Sequence, residues 1–199
     1  MGRDGTTMLT SGSTAAADAA DHRPRPGGGR LPADLLALKN RVYDPCGFVW
    51  SHPVPEEEGA AYAAHGFTLD GASVRFRVAG TTPTKAGHFV TVWKRSPDGP
   101  IRPFDSDDPV DLFVISARDG DRHGAFVFPR AVLREQGIVA GGGSVGKRAF
   151  RVYAPWVAPT SRQALRTQAW QVEHFLHIPG KEPVDADRAR ALHRPPARE

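Results

Sequence analysis

Apolar residues recur along this chain with two different periods, and the change from one to the other marks out its elements. Across residues 31–43, Leu35, Leu38 and Val42 fall on one side of a helix that has Pro32 at its start. A weaker helical segment covers residues 56–66, with acids in its first turn, where the helix dipole favours them, and Gly66 as its stop. From Ser73 the period becomes two: Arg75 and Arg77 share one face of a strand, and Val74, Phe76 and Val78 the other. Residues 87–95 form a second strand, which ends in a basic pair before the turn Ser96-Pro-Asp-Gly. Residues 111–115 are apolar on both faces, as a central strand covered on both sides must be. Two more strands, 124–129 and 147–153, flank a short helix, 130–136, that Gly137 closes. The last strong element is a helix over residues 161–177, opened by a serine, with Leu165, Ala169, Val172 and Leu176 in register.

These elements describe one domain of mixed α/β type, a central mixed sheet flanked by helices, over residues 31–178. Residues 1–30 are mostly Gly, Ser, Ala, Asp and Pro and cannot bury enough apolar surface to offset ordering entropy, so a disordered tail is expected there. Residues 179–199 are charged and poor in large apolar side chains, so a second flexible tail is expected. With 40% hydrophobic and 24% charged residues, the composition is that of an ordinary globular protein. The single cysteine, Cys46, excludes an intramolecular disulfide, a CxxC redox pair and a thiolate metal site, and suits a reducing compartment. No apolar leader or bilayer-length stretch is present, so a cytoplasmic protein is expected, neither secreted nor anchored in a membrane.

The obvious catalytic patterns all fail on inspection. Gly141-Gly-Gly-Ser-Val-Gly-Lys-Arg approaches a phosphate-binding loop, but Arg148 stands where the Mg²⁺-binding hydroxyl belongs, and a strand rather than a helix follows. Asp105, Asp107 and Asp108 cluster without calcium-loop spacing, because Pro109 interrupts it. His174 and His177 lie three apart with no third ligand, and Cys46 has no nucleophile context. No catalytic residue, metal site or cofactor is therefore assigned.

What changes the picture is charge. The net charge of +4 and a pI near 9.6 favour anionic partners, although arginine-rich ends supply part of the excess. Inside the domain, cations interleave with aromatics in Arg75-Phe-Arg, Trp93-Lys-Arg and Lys147-Arg-Ala-Phe-Arg-Val-Tyr. Cations neutralise phosphates and release counterions, and aromatic faces stack bases. The candidate nucleic-acid contacts are Arg75, Arg77, Lys85, Lys94, Arg95, Lys147, Arg148 and Arg151, with Thr82 and Thr84 as neutral donors. The same residues also fit strand edges blunted by charge against aggregation, and both readings stay open here. Gln168 and Gln171, three apart, either read base edges or close a buried polar network.

The series Thr82-Pro-Thr-Lys-Ala-Gly-His-Phe-Val-Thr-Val-Trp-Lys-Arg, Pro103-Phe-Asp, Asp111-Leu-Phe-Val-Ile, Phe126-Val-Phe-Pro-Arg, Gly146-Lys-Arg-Ala-Phe-Arg-Val-Tyr-Ala-Pro-Trp and Thr167-Gln-Ala-Trp-Gln resembles the MepB family, over residues 31–178. That family takes its name from a protein encoded beside a multidrug efflux pump and its repressor. The resemblance implies an α/β core like that of type II restriction endonucleases, and an association with DNA or RNA. A nuclease of that type needs an acid on a helix, for which Glu57 or Glu58 qualifies, an Asp at a strand start, for which Asp111 does, and a Glu-x-Lys on the next strand. The third is missing, since that strand reads Ala125-Phe-Val. The expectation is thus a non-catalytic nucleic-acid-binding protein. The alternatives are a Mg²⁺-dependent nuclease with a displaced site, built from Asp111 and an acid from Glu56 to Glu58, and a protein-interaction accessory of a drug-response operon.

Overall fold

The central strand β8 (Leu112–Asp119) organises the molecule, because its side chains serve two cores at once. In the computed structural model, which describes residues 30–95 and 99–194, Leu112 and Val114 point into one core, and Phe113, Ile115 and Ala117 into the other. Its neighbour β9 (Arg122–Pro129) repeats the division, with Ala125 and Val127 on one side and Phe126 and Phe128 on the other. The uninterrupted apolar run read from the sequence is what a strand covered on both faces requires.

Around this pair lies a mixed six-stranded sheet in the order β1-β2-β3-β8-β9-β11. Its other members are β1 (Val54–Pro55), β2 (His65–Leu69), β3 (Ala72–Val78) and β11 (Phe175–His177). Only β3 and β8 run parallel, paired from Val74↔Leu112 to Val78↔Ser116. Two smaller sheets complete the β structure. The first joins β10 (Ala149–Val152), β5 (Lys85–Thr91) and β4 (Gly80–Thr82); the second pairs β6 (Trp93–Arg95) with β7 (Ile101–Pro103). The expected strand over 87–95 is therefore two strands, broken at Val92, whose N–H donates to Arg148 C=O.

One face of the main sheet is covered by the N-terminal helix. It runs as α1 (Ala33–Leu38), a π-helical turn (Lys39–Tyr43) and the short α2 (Asp44–Cys46), which ends at Gly47 with φ +76°. Val42 and Tyr43, both in the π turn, are buried. Asp34 fixes the start of this helix, since its carboxylate accepts from the Ser116 hydroxyl at 2.8 Å and from Arg118 at 2.9 Å.

Three further expectations change. The segment 56–66 is no helix: Gly59 (φ +114°) and Ala63 (φ +50°) confine it to one 3₁₀ turn, Ala60–Tyr62, and β2 begins at His65. The helix over 161–177 is shorter, α4 (Arg162–Val172), because Phe175 and Leu176 must enter opposite cores and only a strand sends neighbouring residues to opposite faces. The stretch after Pro179, expected as a charged tail, carries α5 (Ala186–His193), capped by Asp185, with Ala189, Leu192 and His193 buried against the first core. The helix α3 (Arg130–Glu135) follows Pro129 as expected, with Gly137 at φ +63° behind it. The expected tail of residues 1–30 lies, apart from Arg30, outside the described residues.

No helix among the described residues is long and apolar enough to cross a membrane.

Candidate nucleic-acid interface

The ten candidate contacts fall into two groups that the sequence does not distinguish. Arg75 and Arg77 both turn to Glu56, at 2.9 and 2.5 Å. Lys94 is held by Asp105 at 3.1 Å and also by Asp108, and Arg95 by Glu58 at 3.0 Å. A groove of about 250 Å³ runs between these pairs, lined by acids and cations together. Its cations are therefore neutralised within the fold.

Arg77 is the extreme case and corrects its reading as a surface contact. It is 1% exposed and gives one N–H to Phe76 C=O at 2.8 Å, while its Nε has no partner. Burial pulls its pKa below the usual arginine value, and the Glu56 carboxylate opposes that pull. Asp105 shows the converse balance: burial raises its pKa, but the Lys94 ammonium and the Asp107 N–H outweigh this and leave it below the usual carboxylate value.

The second group lies on the β4-β5-β10 sheet. Lys85 starts β5, and Lys147 and Arg148 lead into β10 rather than standing within it. All three are exposed, and no carboxylate among the described residues pairs with them. Thr84 is exposed in the β4–β5 turn. Arg151 stands on the outer face and is fixed there: it donates to Thr82 Oγ1 at 2.7 Å and to Ala86 C=O at 3.2 Å, and lies 6.0 Å from the Phe89 ring. Gly87 makes room for the neighbouring Tyr153 ring, which a Cβ there would meet at 2.6 Å.

The glutamines resolve to the buried network. Gln168 donates to Ala154 C=O at 3.0 Å and Val157 C=O at 2.8 Å. Gln171, fully buried, accepts from Tyr153 N–H at 2.8 Å and donates to Arg151 C=O at 2.9 Å. The apolar register expected of this helix points elsewhere, with Leu165 49% exposed and Ala169 exposed. The helix docks through these amides and the Trp170 ring, 5.3 Å from Phe128, and the amides are a signal that a hydrophobic pattern does not carry.

The other singled-out residues have local duties. Asp111 accepts from Ser73 N–H at 2.8 Å and so aligns the parallel pair β3–β8 at its start. Glu56 is bound farther along β3, at Arg75 and Arg77, and Glu57 is exposed. His174 packs edge-on against Phe128 with ring centres 5.7 Å apart, and His177 is exposed. Among the described residues, no group of three or more His, Cys, Asp or Glu side chains is placed to hold a metal ion. The glycine loop makes a tight turn at Gly142 and Gly143 and passes into β10, with no helix after it.

Comparison with known proteins agrees with the architecture. A family model described as MepB-like matches residues 56–177. A solved structure described as the crystal structure of MepB is similar at 34% identity and a TM-score of 0.63, over 67% of this chain and 89% of that one. No curated protein matches.

Proposed function

We propose, for a chain that belongs to the MepB-like family, a non-catalytic role in binding DNA or RNA through phosphates, in the cytoplasm and without a cofactor. The observation that carries it is the division of the cations. Lys85, Lys147 and Arg148 stand exposed around one small sheet with no carboxylate partner among the described residues, whereas Arg75, Arg77, Lys94 and Arg95 are each matched by a carboxylate. Cations kept free of internal partners are the ones available to displace counterions from a phosphate chain. Arg151 and Thr82, already locked together, offer a preorganised edge to this surface, and Thr84 a neutral donor. The likeness of the core to type II restriction endonucleases belongs to the same reading.

Fluorescence anisotropy against labelled single- and double-stranded oligonucleotides across a salt series, with and without Mg²⁺, tests it. Salt-sensitive binding with intact oligonucleotide supports the reading. Mg²⁺-dependent cutting favours a nuclease, and no binding at low salt removes both.

A further inference from the structure

Strand β10 is an edge strand, and its free side is filled at both ends but open in the middle. The alternation follows from its pairing with β5. Arg148 C=O accepts from Val92 N–H, so the even-numbered residues face β5 and the odd-numbered ones face α4. At one end Lys147 N–H donates to Ile138 C=O at 2.8 Å. At the other, the Gln171 amide takes Arg151 C=O and Tyr153 N–H, as a neighbouring strand would. Between them, Ala149 N–H and C=O and Arg151 N–H point into a groove of about 350 Å³. Gln163 and Thr167 of α4 line the groove opposite the strand, together with Phe150 and Trp170.

We propose that this groove docks a short extended peptide of acidic character from another protein, added as a strand beside Ala149 and Arg151. The open stretch from Lys147 to Arg151 spans about 13 Å at the rise of a strand, which suits a brief extended segment rather than a long one. Two observations select the occupant. The exposed main-chain groups alternate donor, acceptor, donor, and a peptide backbone answers both kinds. A phosphodiester chain has only acceptors there, and would leave the Ala149 carbonyl facing oxygen. The charged residues lining the groove are Lys147 and Arg151, with no carboxylate, so acidic side chains complement it.

The proposal does not depend on nucleic-acid binding, and its test separates the two. A labelled decapeptide alternating glutamate with valine is titrated against the full chain, and amide hydrogen exchange is followed at Ala149 and Arg151. The peptide is expected to bind and to slow exchange at both amides. Ala149→Pro, which removes an outward N–H that β5 does not use, and Thr167→Glu, which places a negative charge on the wall, each lower peptide affinity at least tenfold. Ala149→Pro, which alters no charge, leaves oligonucleotide affinity within about twofold. The proposal is overturned if the peptide neither binds nor protects, if both variants bind it as the parent does, or if a lysine–valine peptide binds equally well. Protection of these amides by an oligonucleotide but not by the peptide overturns it too.

Discussion

The Gln171 side chain accepts from Tyr153 N–H at 2.8 Å and donates to Arg151 C=O at 2.9 Å, so one amide closes the end of the β10 edge and fixes α4 to the sheet. Gln171 is fully buried, and truncation leaves two backbone groups without partners. Gln171→Ala should destabilise the fold by about 3 kcal/mol, read as a lower midpoint in urea with an unchanged slope.

Glu56 carries two arginines, one of them buried. Removing its charge strands Arg77 in the core, so Glu56→Gln should cost about 3–5 kcal/mol. Pairing it with Arg77→Met removes the buried charge as well and should recover most of that loss. A double-mutant cycle in chemical denaturation checks this.

His193 is 3% exposed, donates from Nδ1 to Ala189 C=O at 2.9 Å, and packs against the Tyr43 ring at 5.4 Å. Burial lowers its pKa from 6.5 to about 4, the backbone bond and Asp70 opposing. The unfolded chain therefore binds the proton more readily. Stability from neutral His193 is complete above pH 6.5 and is lost as pH falls toward 4, by about 3 kcal/mol in all. His193→Phe keeps a ring in this site and should remove that part of the acid dependence. Denaturation midpoints at pH 7 and pH 4.5 for both proteins test it.

Much of the sheet was legible because its strands alternate or run apolar, and periodicity reports both. The β2 strand was missed although Asp70-Gly71, with φ +47° and +82°, is the two-residue hairpin signal between Phe67-Thr-Leu and Ala-Ser-Val. Helix α5 was missed because its eight residues bury only Ala189, Leu192 and His193, while Arg188 clamps it by donating to Glu173 C=O at 2.5 Å. The site was legible as a set of cations but not as two groups. Pairing of Arg75, Arg77, Lys94 and Arg95 with Glu56, Glu58, Asp105 and Asp108 joins residues 11 to 37 positions apart, and no local pattern records it.

The two groups of cations predict different effects on the salt dependence of oligonucleotide binding. The plot of log affinity against log salt is to be measured for the parent, for Lys147→Ala with Arg148→Ala, and for Lys94→Ala with Arg95→Ala. Losing two phosphate contacts should flatten the first pair's slope by about 1.4–1.8, with folding intact. The Lys94 and Arg95 pair should lose stability, through Asp108 and Glu58 left without their cations and Asp105 left with Arg102 alone, and keep the parent slope. The reverse result, a flattened slope for Lys94 and Arg95 and an unchanged one for Lys147 and Arg148, contradicts the assignment of the free cations as the binding surface.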